Sequence, residues 1–273
     1  MSNCNCSKNG GDFDARAAFE ALSRKHSDLA DTVVRYMSEA NLKRSERAAN
    51  ALEMAEFVAT SVGGILTPEF PECSLLRADG ICSGVLIHPL IVLTAGHCRV
   101  MGNDEVLINC RDANDPERES IPALTGYPHE FHTVGAFDIQ MIFLAKSAQK
   151  VAPVRIAEPA EIAQANQVGF VGFGESETGA GRKRAVRLEI QKNSTYPRYN
   201  RMSEFIAGGN GKGACRGDSG GPAYIFVNGE RKLAGLHSRQ MTANCGDGGV
   251  YTRVDVYMQW LHDTAKRAHI VFP

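Results

Sequence analysis

No stretch of the chain approaches the roughly 18 to 20 consecutive apolar residues that a membrane-spanning helix needs. Charge of one sign is equally absent. The formal net charge of −1 leaves no electrostatic footprint for nucleic acid or an anionic membrane, so neither is expected as a partner. The opening residues, Met1-Ser2-Asn3-Cys4-Asn5-Cys6, are polar and lack the apolar centre of a secretory signal, which reads as a cytoplasmic start. Cys4-x-Cys6 lacks the usual gap of about two to four residues, and no second ligand pair follows, so no zinc site is expected. Neither is any other metal or cofactor.

What is present is a chain of 273 residues with 43% hydrophobic content, enough for the core of one large or two modest domains. One stretch stands out, Ala214-Cys215-Arg216-Gly217-Asp218-Ser219-Gly220-Gly221-Pro222. A serine flanked by glycines is poorly shielded, and its hydroxyl can face a cleft. Gly217 and Gly220 allow backbone conformations that a side chain would forbid. Such a turn can aim the Gly217 and Ser219 N–H groups at a developing oxyanion. The pattern also satisfies G-x-S-x-G, the nucleophile elbow of α/β-hydrolases, but that elbow must lead into a helix. Here Pro222 and Ala223-Tyr224-Ile225-Phe226-Val227 read as a strand ending at the turn pair Asn228-Gly229.

A nucleophilic serine needs a base held in one tautomer by a buried carboxylate. Among the histidines only His97 has an unusual setting, delivered by the apolar run Ile91-Val92-Leu93 to a turn of small residues and followed by Cys98. Asp138 heads another apolar run, Ile139-Gln140-Met141-Ile142-Phe143-Leu144. Alone it would pass for a solvated turn residue, whereas together the three form a candidate triad.

With these residues in hand, the chain resembles the trypsin/chymotrypsin family of serine endopeptidases. The resemblance rests on Leu93-Thr94-Ala95-Gly96-His97-Cys98, Phe137-Asp138-Ile139, Gly172-Phe173-Gly174 and Gly217-Asp218-Ser219-Gly220-Gly221-Pro222, in the family's order of His, Asp and Ser. Short runs such as Val85-Leu86-Ile87, Val106-Leu107-Ile108, Val168 to Phe173, Val186 to Ile190, Leu233 to Leu236 and Val250 to Val254 suggest an all-β fold. The resemblance sharpens this to two six-stranded antiparallel barrels with the active site between them, and a closing helix near Val256 to Ala268. It implies disulfides Cys82–Cys98 and Cys215–Cys245; Cys73 with Cys110 is a conceivable third. Such bridges suit an oxidising compartment, in conflict with the cytoplasmic reading of the N-terminus.

Residues 1–60 are expected to form a small helical extension, either a propeptide or a docking segment for a regulatory partner, ahead of a protease domain at 61–273. Ser61-Val62-Gly63-Gly64 resembles the family's mature N-terminus. The resemblance implies that a freed Ser61 amine pairs with Asp218. Thr60, however, stands where trypsin-activated precursors carry Lys or Arg. The implied reaction is hydrolysis of protein or peptide substrates by His97, Asp138 and Ser219, with Gly217 and Ser219 as the oxyanion hole. The alternative is a catalytically silent scaffold whose N-terminal helices bind a partner.

The candidate substrate pocket comprises Gly213, Arg216, His237, Ser238, Arg239, Gln240 and Gly249. Gly213 stands where trypsin-like members carry aspartate, which argues against a basic preference unless Asp247 substitutes. His237 directly before Ser238 resembles the glutamyl endopeptidase branch, and Arg216, Arg239 and Lys212 would favour an acidic side chain. A small or apolar preference, with His237 structural, stays open beside it. The run Arg182-Lys183-Arg184 is expected as a solvated loop and secondarily as a nicking site.

Overall fold

The computed structural model describes residues 64–133, 136–176 and 179–272; the expected N-terminal helices, Cys4, Cys6 and the Ser61 terminus lie outside them. Six strands close into a barrel in the order β2 (Cys73–Arg77), β3 (Ile81–His88), β4 (Ile91–Thr94), β7 (Gln140–Leu144), β6 (Glu119–Pro128) and β5 (Glu105–Ile108). Alternation along each strand sends one set of side chains inward. Leu86, Val92 and Ile142 face one another across three neighbouring strands and join Leu76, Val106 and Ile121 in the barrel core. β4 and β7 are buried along their whole length. That is why their sequences read as continuous apolar runs rather than alternating ones.

The second half is a sheet of eight strands. Its main path is β1 (Ile65–Leu66), β10 (Arg184–Glu189), β9 (Gln167–Gly172), β12 (Pro222–Val227), β13 (Glu230–Gln240), β14 (Gly249–Arg253) and β11 (Glu204–Ala207), with β8 (Arg155–Ile156) beside β13. The expected second closed barrel becomes a curled sheet. Its six strands from β10 to β11 come round until Ile190 bridges Ala207, helped by Gln191 N–H to Ile206 C=O and Gly208 N–H to Glu189 C=O. β11 has only four residues, paired on one edge with β14, and on its other edge Ala207 alone makes the closing bridge. Phe170, Leu188, Phe205, Ala223 and Tyr251 pack the interior. The expected closing helix is present as α2 (Met258–Arg267), entered through a single 3₁₀ turn at Asp255–Tyr257; a short α1 (Pro159–Gln164) precedes β9.

Two expectations need correction. Cys73 and Cys110 are buried free thiols and not a third bridge. The Arg182-Lys183-Arg184 run is not a solvated loop. Lys183 is among the most buried side chains, and its ammonium donates to the carbonyls of Pro68 and Phe70. Arg184 opens β10 and donates to the Gly64 carbonyl. A buried ammonium is tolerated only where it is hydrogen-bonded, and here the lysine straps the segment after Gly64 to the sheet.

Candidate active site

β4 ends at Thr94, and the chain turns through a 3₁₀ segment, Gly96–Cys98, that presents His97. The Cys82–Cys98 disulfide ties this turn to β3, and Cys215–Cys245 ties the serine loop to the segment before β14. Two disulfides in the described domain suit an oxidising compartment, and nothing here supports the cytoplasmic expectation. Phe137 adopts φ 51°, a left-handed conformation unusual for a bulky residue. It delivers Asp138 directly ahead of β7.

Asp138 is 3% exposed and closely partnered. Its Oδ2 lies 2.8 Å from His97 Nδ1 and accepts the Ser238 hydroxyl at 2.6 Å. Its Oδ1 accepts the His97 backbone N–H at 3.0 Å. Burial opposes ionisation, but the hydrogen bonds and charge of His97, with the Ser238 bond, outweigh it and hold the carboxyl below its ordinary range. With a proton on Nδ1 bonded to Asp138, the other ring nitrogen of His97 is left as a base.

The serine loop is braced by Ser83, a fully buried residue beside Cys82. Its N–H donates to the Ser219 carbonyl at 2.8 Å, and its hydroxyl donates to the Gly217 carbonyl and accepts from Phe173 N–H. Gly217 and Gly220 take φ 88° and 76°. At Gly220 a Cβ would collide with Thr94, Ser83 and Ala95, so this glycine is dictated by the first barrel. The Arg216 carbonyl accepts Glu175 N–H and the Asp218 carbonyl accepts Gly221 N–H. In a planar trans peptide the N–H points opposite its carbonyl. These two bonds therefore fix the Gly217 and Ser219 N–H directions, and among the described residues neither N–H has an acceptor. Nor does any described hydrogen bond engage the Ser219 hydroxyl. Hydrogen bonds of this kind are commonly long without substrate.

Asp218 faces away from this site. It accepts Gly174 N–H at 2.7 Å and Cys215 N–H at 2.8 Å. It lines a cavity of about 610 Å³ with Gly64, Arg184, Lys212, Gly213 and Gly246. Gly172 and Gly174 are glycines because a Cβ at either would strike its carboxylate. Burial dominates and raises its pKa to about 6, against the two N–H donors and the Arg184 charge.

The pocket residues divide. Gly213 borders the Asp218 cavity, and Arg216 is exposed. The Ser238 hydroxyl is taken by Asp138. Arg239 forms a bidentate pair with buried Glu204, at 2.7 and 3.1 Å, and also donates to the Arg198 carbonyl. Its charge is thus answered within the protein. Gln240 donates to the Ala214 carbonyl. Asp247 is bonded by Thr242 and Asn244 in its own exposed turn. His237 is 2% exposed, both ring nitrogens lack a partner among the described residues, and a Cβ on Gly249 would sit 2.9 Å from its Nε2. Burial lowers its pKa to about 3, so the ring is neutral. Sequence reasoning missed Ser83, Glu204 and His132, which touches the Asp138 region. Only His132 carried a local signal, a second histidine six residues before Asp138.

Comparison with known proteins agrees with this architecture. The Trypsin family model matches residues 69–261. The chain is 29% identical over 211 residues to mouse vitamin K-dependent protein C, covering 66% of this chain and 45% of that protein. It is 31% identical over 221 residues to the clotting factor G beta subunit of Tachypleus tridentatus, covering 67% and 70%. It is 27% identical over 210 residues to rat chymotrypsin-like elastase family member 1, covering 67% and 77%. Against the mouse and rat protein C relatives the chain spans about half of their length.

Proposed function

The chain belongs to the trypsin family, and on that premise we propose that it is a serine endopeptidase working through an acyl-enzyme. His97 takes the Ser219 proton as Oγ attacks the peptide carbonyl. Asp138 steadies the resulting imidazolium, and the Gly217 and Ser219 N–H groups take the oxyanion. His97 then gives the proton to the leaving amine, and water repeats the sequence to release the acid. The observation that carries this reading is the 2.8 Å contact between His97 Nδ1 and Asp138 Oδ2 inside a fully partnered carboxylate site.

We further propose that residues 1–60 form a separate propeptide or docking extension and 61–273 the protease domain. The enzyme is latent until a chain end near Ser61 is freed. Support comes from Asp218, a buried carboxyl whose partners are N–H donors, beside a cavity that Gly64 already borders. An inserted ammonium would neutralise it. Specificity is not for basic residues. An acidic side chain before the scissile bond would need the buried ring of His237 to open toward it; a small apolar one would need no partner.

Labelling with a fluorophosphonate probe, read by intact mass, tests the reading. Labelling of the parent and not of Ser219→Ala is expected, and only once the mass corresponds to a chain starting near Ser61. Labelling of a chain that retains Met1 overturns the latency. No labelling in any form overturns the enzyme and leaves the silent scaffold. A peptide panel varying the residue before the cut separates the acidic from the small preference.

A further inference from the structure

Asp138 has a second imidazole beside it. His132 Nδ1 lies 3.6 Å from Asp138 Oδ1, the oxygen that His97 occupies only through its backbone N–H. The ring is 17% exposed, and its Nδ1 is buried without a hydrogen-bond partner among the described residues. Space for it is made in the histidine turn itself. A Cβ on Gly96 would meet His132 Nδ1 at 2.9 Å and Cγ at 3.0 Å, so the residue before His97 must lack a side chain for His132 to sit there. The His132 backbone is held by its N–H to the His129 carbonyl at 2.8 Å.

We propose that His132 is a positioning residue for the triad, engaging the Oδ1 edge of Asp138 while His97 holds Oδ2. The inference rests on the acyl-transfer reading of His97 and Asp138. At 3.6 Å the contact is longer than a hydrogen bond, and a shift of about half an ångström closes it. The titratable groups near His132 are Asp138 from the segment ahead of β7 and, from its own loop, His129, which Glu130 accompanies. Asp138 is the one acceptor among them that is both buried and close. When neutral, His132 donates to the carboxylate and drains part of its charge. When protonated, it shares Asp138 with imidazolium His97, and the two cations repel. On this proposal, removing His132 is expected to move loss of activity to higher pH. Two coupled protons, rather than one, then govern the acid limb.

The test is the pH dependence of kcat/KM for the activated parent, His132→Leu and His132→Asn. The parent acid limb is expected to be shallower than a single proton gives, because the two protonations oppose each other. In His132→Leu it becomes a one-proton limb displaced upward by roughly half to one pH unit, with kcat down about tenfold and KM unchanged. His132→Asn keeps a donor without the charge, so it restores kcat but retains the one-proton limb. A parent-like limb in His132→Leu overturns the proposal, as does an Asn variant as impaired as Leu, which would mean packing alone. If the Leu variant fails to fold, the Asn limb decides. The proton on His97 Nδ1, followed by NMR in Ser219→Ala, gives the same answer without turnover. An unchanged titration on replacing His132 overturns this inference, whereas an inactive parent overturns the acyl-transfer reading alone.

Discussion

Asp138 beside His97 and Asp218 within the serine loop are both buried carboxylates, yet their surroundings differ in kind. Asp138 has a ring nitrogen, a hydroxyl and a backbone N–H on its two oxygens, and these hold it ionised. Asp218 has two backbone N–H donors, and burial prevails over them, leaving a carboxyl with a pKa of about 6. One half of the machinery is therefore electrostatically complete, while the other carries a group that a cation would stabilise. The proposed latency calls for that combination: a base with its orienter in place, and a buried carboxyl that awaits a charge.

The largest effect expected from breaking the comparison is on the Asp138 side. Asp138→Asn favours the wrong His97 tautomer and should lower kcat by about 10⁴-fold in activated enzyme with the fold intact. Steady-state kinetics beside circular dichroism check this. On the Asp218 side the leading effect is on stability. A Cβ at Gly174 would lie 2.7 Å from Asp218 Oδ1, so Gly174→Ala should cost about 3 kcal/mol in denaturant unfolding through overpacking against a carboxylate that cannot move.

Asp218→Asn sharpens the contrast through pH. The folded pKa of about 6 lies above the unfolded 3.8, so the stability this group contributes is present below pH 4 and lost as pH rises through 6. In the unprocessed chain the stability difference should therefore move in the Asn variant's favour by about 2 to 3 kcal/mol between pH 4 and pH 8, on top of a pH-independent cost for turning an amide NH2 toward one of the two backbone donors. His237 opposes this trend. Its folded pKa of about 3 lies below the unfolded 6.5, so its neutral burial disfavours the fold as pH falls from 6.5 toward 3. A flat parent profile would hide both, which is why the variant difference is the measurement. In the processed form the Asp218→Asn gain should vanish, since an ammonium would then answer the carboxylate.

The smallest of the expected effects concerns Ser238→Ala, which removes one of Asp138's donors. A drop of about tenfold in kcat is expected, the worth of one hydrogen bond to a charged group, with KM little changed. A large rise in KM would instead return Ser238 to the substrate pocket.

Much of the molecule was legible in the chain itself. The runs Ile91–Leu93 and Met141–Leu144 read as strands because burial on both faces leaves no polar position within them. The glycines around Ser219 were legible because left-handed backbone and collisions such as that of Gly220 with Thr94 restrict the residue type at that very position. Both disulfides followed from the family resemblance. Lys183 was misread because a short basic run looks the same whether its middle residue meets water or two carbonyls, and only the strap formed by Pro68 and Phe70 distinguishes them.

The sequence by itself determined the strand-rich class, the order of His97, Asp138 and Ser219, and the turns that present them, since each depends on residue type at neighbouring positions. The tertiary structure alone decided that Arg239 is answered by Glu204, 35 residues away, and that Ser238 serves Asp138, 100 residues away. It also decided that the second sheet closes through the Ile190–Ala207 bridge and that His132 fills the space left at Gly96. Charge, burial and pKa belong to the set of atoms that folding brings together, and residues distant along the chain carry no local mark of the partners they will meet.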